Sequence, residues 1–178
     1  MTASRPEVEG WRECWTLGTG EQVTVRPIRP DDAAIEQEFV RNLSSESKYN
    51  RFMAELAELT PQMLARFTRI DWPRDLALIV TIPDGGRERE IAVARYVMLK
   101  DGASCEFAIV VADAWQGHGL GHRLMEVLMR FARDAGLKRM EGFVLSGNLK
   151  MLELMRALGF AIGPSEEGPM VKLVAREL

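Results

Sequence analysis

Three glycines between positions 115 and 122, in the run W-Q-G-H-G-L-G-H, are the residues whose spacing most clearly suggests chemistry. They directly follow the apolar run F-A-I-V-V-A, which is typical of a strand, and precede a helical pattern of apolar residues. Bare backbone between a strand and a helix offers N–H groups to an anion, and the helix N-terminus adds a partial positive charge. The stretch therefore predicts a site for a phosphate-bearing ligand, with an ordinary strand-to-helix turn as the alternative.

Two well-known phosphate loops do not fit this stretch. The dinucleotide loop G-x-G-x-x-G requires a third glycine after Gly117 and Gly119, but position 122 is His122. The nucleoside triphosphate loop G-x-x-x-x-G-K-[ST] requires a lysine, which the stretch lacks. We therefore exclude both classes of nucleotide-binding protein.

The elements that must position the loop follow from apolar periodicity and turn residues. Helices are predicted to begin near Asp31 or Asp32, near Ser44 or Ser45, at Thr60, after the loop itself, and near 146–148. Strands are predicted at 23–28, 76–82, 91–99, 104–111, 140–145 and 170–174.

This order predicts an α+β fold with three layers, α/β/α. Helices flank a mixed, mostly antiparallel, twisted sheet of about six or seven strands. Residues 1–21 have no clear period and are expected to form an N-terminal tail that packs locally through Trp11 and Trp15. Residues 22–178 are expected to form a single domain, because a chain of this length can bury a core of its own.

Composition narrows the class of protein. Lys and Arg number 23 and Asp and Glu 26, and the resulting net charge of -3 argues against a nucleic-acid partner. No apolar run approaches the roughly 20 residues of a membrane span, and the N-terminus lacks an apolar signal segment. Cys14 and Cys105 form no metal-binding spacing, so no metal site is expected, and two lone thiols fit a reducing compartment. We expect a soluble cytoplasmic protein, monomeric or homodimeric, with no nucleic-acid or membrane partner.

Two motifs resemble those of the GNAT acetyltransferases. Gln116-x-x-Gly119-x-Gly121 resembles the pyrophosphate loop Q/R-x-x-G-x-G/A of that family. Asn148 and the later G-F at 159–160 are similar to the family's N-x-x-A-x-x-L-Y-x-K-x-G-F, with the same spacing. The order of predicted elements also agrees, over about residues 23–175.

Three further segments resemble one branch of that family. They are R-P-I-R-P-D-D at 26–32, S-S-E-S-K-Y-N-R-F at 44–52, and E-F-A-I-V-V-A-D-A-W-Q-G-H-G-L-G at 106–121. They look like the acetyltransferase domain of Pat-type bacterial protein lysine acetyltransferases. Those proteins often carry additional domains, for which this chain is too short.

The resemblance implies acetyl-CoA as the acetyl donor and an amine as the acceptor. It implies that the pantetheine lies between two separating strands and that the loop amides hold the pyrophosphate, where a side chain on Gly119 or Gly121 would block the approach. Asn148 either contacts the cofactor or only caps its helix. The implied cofactor-binding residues are Ile109, Val110, Val111, Gln116, Gly117, His118, Gly119, Leu120, Gly121, His122 and Asn148.

The same resemblance suggests the catalytic groups. Glu106 is expected to be the base that deprotonates the acceptor ammonium, with a pKa raised by apolar neighbours, although a glutamate that only improves solubility is the alternative. An N–H near Val110 or Val111 would stabilise the oxyanion. The tyrosine usual in the family for the leaving thiolate is replaced by Met155, so the general acid is not identified.

The sequence therefore predicts an acetyl-CoA-dependent N-acetyltransferase that acts by direct attack in a ternary complex. A protein lysine is the favoured acceptor, and a small-molecule amine is the alternative. A non-catalytic acyl-CoA-binding sensor or interaction module is a second class, which Met155 favours and Glu106 opposes.

Overall fold

A mixed sheet of eight strands runs through the computed structural model, which describes residues 4–178. The strands are β1 Glu13–Thr16, β2 Gln22–Pro27, β3 Asp75–Asp84, β4 Arg87–Met98, β5 Ser104–Val111, β6 Arg139–Leu145, β7 Ala161–Pro164 and β8 Val171–Glu177. The helices are α1 Arg5–Gly10, α2 Ala33–Asn42, α3 Ser45–Phe52, α4 Pro61–Phe67, α5 Leu120–Asp134 and α6 Leu149–Ala157, with 3-10 turns at Pro30–Asp32 and Asp113–Trp115. Among the described residues, no helix has both the length and the apolar character needed to cross a bilayer.

The strand order is β1-β2-β3-β4-β5-β6-β8-β7, and every neighbouring pair is antiparallel except β5 and β6. The predicted class, an α+β fold with a mixed and mostly antiparallel sheet between helices, is confirmed. The count of strands is eight rather than six or seven. The two additional strands, β1 and β7, have four residues each, which is too short for an alternating pattern to stand out.

The N-terminal segment, expected to be a tail, packs into the same fold. β1 pairs with β2 through the register Trp15 to Val23. Val8 and Trp15 are buried, and the Trp11 ring meets the Phe131 ring of α5 edge-on at 5.1 Å. Residues 13–16 therefore extend the sheet, and the segment packs along α5, with Trp11 against Phe131 and the Trp15 ring under the Arg123 guanidinium at 4.3 Å.

Two apolar cores lie on opposite faces of the sheet. One contains α5 and α6 with Phe107 and Ile109 of β5, and the other contains α2 and α4 with Val110. Because successive side chains of a strand point to opposite faces, β5 contributes to both cores. Glu106 shares the face of Val110, on the side of α2, α3 and α4.

The motif R-P-I-R-P-D-D has a structural role in this fold. Arg26 of β2 is buried and donates to both Asp32 carboxylate oxygens at 2.8 Å and to Glu88 of β4 at 2.7 Å. The bidentate pair fixes the turn from β2 into α2, since a buried guanidinium requires carboxylate partners.

Three predicted helix starts are confirmed by their caps. The side chains of Ser44, Thr60 and Asn148 each accept a hydrogen bond from the backbone N–H three residues later, at 3.1, 3.2 and 3.3 Å. Each satisfies a helical donor that would otherwise have no partner.

The parallel pair of β5 and β6 is short. Only Ser104, Cys105 and Glu106 have register partners on β6, and the strands separate after Glu106 and Glu141. The Phe107 ring fills the space over Gly142 and lies 5.4 Å from the Phe160 ring. The separation therefore begins at an aromatic contact that only a glycine on β6 permits.

We expect Gly142→Ala to lower the free energy of unfolding by about 1–3 kcal/mol, the usual cost of overpacking a core. An alanine Cβ there would lie 2.6 Å from Phe107 Cε1, well inside van der Waals contact. Chemical denaturation is the measurement. Gly163→Ala, in strand β7 with no atom within 4 Å of an added Cβ, is the matched control. Equal stability of the two variants would contradict this account of the strand separation.

Candidate active site

A cavity of about 830 Å³ opens where β5 and β6 separate. Its walls are α3, the second half of β5, the loop that follows β5, the first turn of α5, the end of β6, and α6. The two strands thus form an opening in the sheet with a helix N-terminus at one end.

The predicted cofactor residues surround this cavity. All of them except His118 line it, whereas the His118 side chain is exposed on the outside of the loop. His122 lies within 3.4 Å of Glu126 one turn along α5. The resemblance therefore identified residues that the fold brings together.

The glycine-rich loop presents six consecutive free amides. In the described part of the chain, the N–H groups of residues 117–122 donate no hydrogen bond within the protein. Gly117 and Gly119 have φ angles of +79° and +77°, and this left-handed backbone leads the loop into the first turn of α5, which supplies the last three donors. Such a run of donors at the N-terminus of a 15-residue helix is suited to an anion.

Gly119 and Gly121 differ in how strictly the structure requires a glycine. Gly119 needs its left-handed backbone, and a Cβ there would meet no atom within 4 Å. Gly121 has an ordinary φ, but an added Cβ would lie 3.4 Å from Leu154 of α6 and 3.7 Å from Val111. These are ordinary van der Waals distances, so the second position would accept an alanine, as the G/A of the family pattern also allows.

The backbone of β5 alternates between β4 and the opening. The peptide groups of the even-numbered residues face β4, because the Leu99 amide donates to the Ser104 carbonyl and the Ala112 amide donates to the Ile91 carbonyl. The peptide groups of the odd-numbered residues face the other way, since the Ala103 carbonyl accepts from the Lys138 amide just before β6. Ile109 and Val111 consequently direct their peptide groups into the opening, whereas Val110 belongs to the ladder with β4. The Val111 carbonyl already accepts a hydrogen bond from the Gln116 side chain at 3.0 Å.

Glu106 lies at the edge of the cavity rather than in its lining. It is the last residue of β5 that pairs with β6, its side chain is exposed, and its register partner is Glu141. Partial burial and then the charge of Glu141 raise the pKa of Glu106, and the charge of Arg51 opposes them. Glu141 is held by Arg139, whose Nε lies 3.1 Å from its carboxylate.

Helix α3 forms the wall opposite the strands. Arg51 lines the cavity, and among the described residues no carboxylate forms an ion pair with it. Burial and then the charge of Arg95 lower the pKa of Arg51 to about 10, so Arg51 is charged at neutral pH. The cavity therefore has a cation across from the Glu106–Glu141 pair.

Neither tyrosine of the chain lines the cavity. Tyr96 is buried and donates to the Pro73 carbonyl, and Tyr49 is exposed on α3. Met155, at the position where the family usually has a tyrosine, is fully buried in the core. Within residues 4–178, no three His, Cys, Asp or Glu side chains are grouped so that they could hold a metal ion.

The structure places at the site three residues to which the sequence motifs give no role. Glu141 pairs with Glu106 across a parallel register, and Asp113 contacts a helix cap 69 residues earlier in the chain. Arg51 reaches the cavity from α3. Periodicity carries no signal for such contacts, because they depend on how separate elements pack.

Sequence comparisons agree with this geometry. A profile of the acetyltransferase (GNAT) domain matches residues 22–161. The chain is 31% identical over 169 residues to acetyltransferase PA5475 of Pseudomonas aeruginosa, covering 95% of this chain and 90% of that protein. It is 32% identical over 142 residues to acetyltransferase Pat of Mycolicibacterium smegmatis, covering 79% of this chain but only 42% of Pat.

Solved structures give the same result. The GNAT domain of S. lividans PAT superposes with a TM-score of 0.86 at 32% identity, covering 94% of this chain and 97% of that domain. The cAMP-binding acyltransferase from Mycobacterium smegmatis has a TM-score of 0.64 at 26% identity, and 47% of its chain is covered. With the matched domain spanning most of its length, this chain belongs to the GNAT family of N-acetyltransferases.

Proposed function

We propose that this chain transfers the acetyl group of acetyl-CoA to a primary amine, favouring a protein lysine, with Glu106 as the base. GNAT acetyltransferases use acetyl-CoA as cosubstrate. The observation that carries the proposal is the run of six free amides, residues 117–122, at the end of a cavity that adjoins Glu106.

The residues present fit the two ends of coenzyme A. The free amides and the N-terminus of α5 suit a diphosphate, which needs several donors and a positive field. The opening between β5 and β6 suits the pantetheine, whose amides can pair with the peptide groups that Ile109 and Val111 direct there. The Ile109 and Val111 amides are also candidates to stabilise the oxyanion of the tetrahedral intermediate.

Glu106 is suited to take a proton from the acceptor. An alkyl ammonium must lose a proton before its nitrogen can attack the thioester carbon, and the raised pKa of Glu106 moves it toward the working pH of a general base. Its exposed side chain allows contact with an acceptor that arrives from solvent. The neighbouring carboxylate of Glu141 adds negative charge that attracts the ammonium.

The coenzyme A thiolate leaves without a tyrosine acid in this proposal. A thiol has an unperturbed pKa of about 8.5, so the thiolate is a fair leaving group near neutral pH. We therefore assign no general acid to the chain. This feature alone also agrees with a non-catalytic acyl-CoA sensor, the alternative that turnover would exclude.

The likeness to Pat-type enzymes favours a protein lysine as the acceptor. The match covers 79% of this chain for Pat and 94% for the S. lividans domain. The open, solvent-exposed position of Glu106 agrees with a macromolecular acceptor. A small-molecule amine remains the alternative. Cytoplasmic location is part of the proposal, because Cys14 and Cys105 are free thiols that a reducing compartment preserves.

The acceptor class is tested by following thiol release from acetyl-CoA with three sets of acceptors. We expect turnover with lysine-containing peptides or proteins that exceeds turnover with polyamines and free amino acids at matched amine concentration. Higher turnover with polyamines or free amino acids would instead identify a small-molecule amine as the acceptor. Binding of acetyl-CoA without turnover on any acceptor would favour the sensor.

A further inference from the structure

A hydrogen-bonded cluster joins α3 to the segment between β5 and the glycine-rich loop. Asp113, in the 3-10 turn after β5, accepts hydrogen bonds from the Ser44 amide at 3.0 Å, the Ser44 hydroxyl at 2.7 Å and the Ser47 hydroxyl at 2.8 Å. We call Asp113, Ser44 and Ser47 the Asp113 clamp. Gln116 of the loop lies beside it, with its side-chain nitrogen 3.4 Å from the Ser47 hydroxyl.

The Asp113 carboxylate of the clamp is ionised. Partial burial acts to raise the pKa of Asp113, but the hydrogen bonds from Ser44 and Ser47 outweigh it and lower that pKa below its usual range. Hydrogen bonds to an ionised acceptor are about twice as strong as neutral ones. In the described part of the chain, the side-chain hydrogen bonds between the loop and α3 with its cap all involve Asp113 or Gln116.

Helix α3 carries the clamp at one end and Arg51 at the other. Ser47 lies in its first turn and Arg51 in its last, and both line the cavity. A shift of α3 away from the loop therefore moves the Arg51 guanidinium relative to β5. Since α3 has eight residues and behaves as a short rod, the anchor at its start also sets the position of its end.

The charges around Glu106 and Arg51 define what such a shift changes. Glu106 is faced by Glu141 from β6 and by Arg51 from α3. Arg51 is in turn faced by Arg95 from β4, Glu36 from α2 and Arg66 from α4. Glu90, buried on β4 beside Glu36, has a pKa raised well above its usual value by burial and then by the charge of Glu36.

We infer that Asp113 is a positioning residue for the catalytic base: it holds the start of α3, so that Arg51 at the other end of the helix stays near Glu106. This inference rests on the proposed function, in which Glu106 is the base. It assigns to the Asp113 clamp a part in acceptor deprotonation, which an ordinary loop contact does not have.

The test is the pH dependence of kcat/KM for the acceptor, measured with Asp113→Asn and Arg51→Met singly and together. Arg51 stabilises the ionised form of Glu106, so losing its charge raises the pKa of Glu106 and moves the acid limb to higher pH. We expect Asp113→Asn to move the limb in the same direction. At pH values below the acid limb, we expect the loss of kcat/KM in the double variant to be smaller than the product of the two single losses, by about twofold or more.

Asp101→Asn is the matched control. Asp101 also accepts two hydrogen bonds in a turn next to β5, from the Ala103 and Ser104 amides at 3.0 and 2.9 Å, but it has no contact with α3. It should lower stability without moving the acid limb. If Asp113→Asn fails to fold, Ser47→Ala removes one donor and should give a smaller shift in the same direction.

Three results would contradict these claims, and they do not all have the same meaning. An acid limb that stays in place in Asp113→Asn and Ser47→Ala, while Glu106→Gln is inactive, overturns the inference and leaves the proposed function intact. Full activity of Glu106→Gln contradicts the assignment of the base, and with it the proposed function. Equal profiles for Asp113→Asn and Asp101→Asn also overturn the inference, because they reduce the clamp to a structural contact.

Discussion

Glu106→Gln is expected to lower kcat at neutral pH by about 10²- to 10⁴-fold, the usual contribution of a general base. Glutamine keeps the size of the side chain but cannot take a proton, so the ammonium of the acceptor is not deprotonated at the site. Because Glu106 lies at the edge of the cavity and not in its lining, we expect acetyl-CoA to bind the variant with nearly unchanged affinity.

The same assignment predicts how the rate depends on pH. Burial and Glu141 raise the pKa of Glu106, so the wild-type rate should fall as the pH drops through that raised pKa. The variant should lack this acid limb and recover partly at high pH, where more of the amine is already neutral. Steady-state kinetics over a pH series, with calorimetry for acetyl-CoA, measure both effects.

Glu38→Gln is the matched control, since Glu38 pairs with Arg87 and does not line the cavity. It should retain full activity. If Glu106→Gln kept the wild-type rate and acid limb, Glu106 would be an exposed strand glutamate that serves only solubility, and another base would be required.

The second large effect is expected from replacing Gly117 and Gly119 together by alanine. Both glycines have positive φ, and a left-handed backbone costs an L-residue about 1–2 kcal/mol. The amides of this loop form no other hydrogen bonds within the described chain, so the free loop can relax and the ligand must restore the strained shape. We expect acetyl-CoA affinity to fall about 30- to 1000-fold, which corresponds to both costs together.

Gly85 and Gly86 provide a control with the same chemistry. They are adjacent glycines with positive φ in the β3–β4 turn, and an added Cβ at either meets no atom within 4 Å. Because paired strands hold that turn, the double alanine variant should lose stability and keep its acetyl-CoA affinity. Calorimetric titration and thermal unfolding separate the two results. Unchanged affinity in the loop variant would contradict the role of the loop amides.

The sequence predicts those elements whose signals are local. The bounds of β5 are confirmed at Ser104–Val111, and Ser44, Thr60 and Asn148 act as the caps that their residue types indicate. The predicted number of strands is too low because β1 and β7 have only four residues each. Local patterns thus gave the core of the fold and the loop, and failed at its edges.

The electrostatics of the site depend on contacts that no local pattern encodes. The pairing of Glu106 with Glu141 follows from a register between strands 35 residues apart, and Arg26 pairs with Glu88 at a separation of 62 residues. Val110 is among the cofactor-binding residues that the resemblance implies, but the alternation of the ladder shows that its peptide groups face β4. Ile109 and Val111 remain the better candidates.

A crystal structure with coenzyme A bound tests the central claim most directly. We expect the diphosphate oxygens within hydrogen-bond distance of several N–H groups of residues 117–122, and the sulfur between β5 and β6 on the side of Glu106. A diphosphate bound elsewhere, or a sulfur remote from Glu106, would contradict both the site and the mechanism.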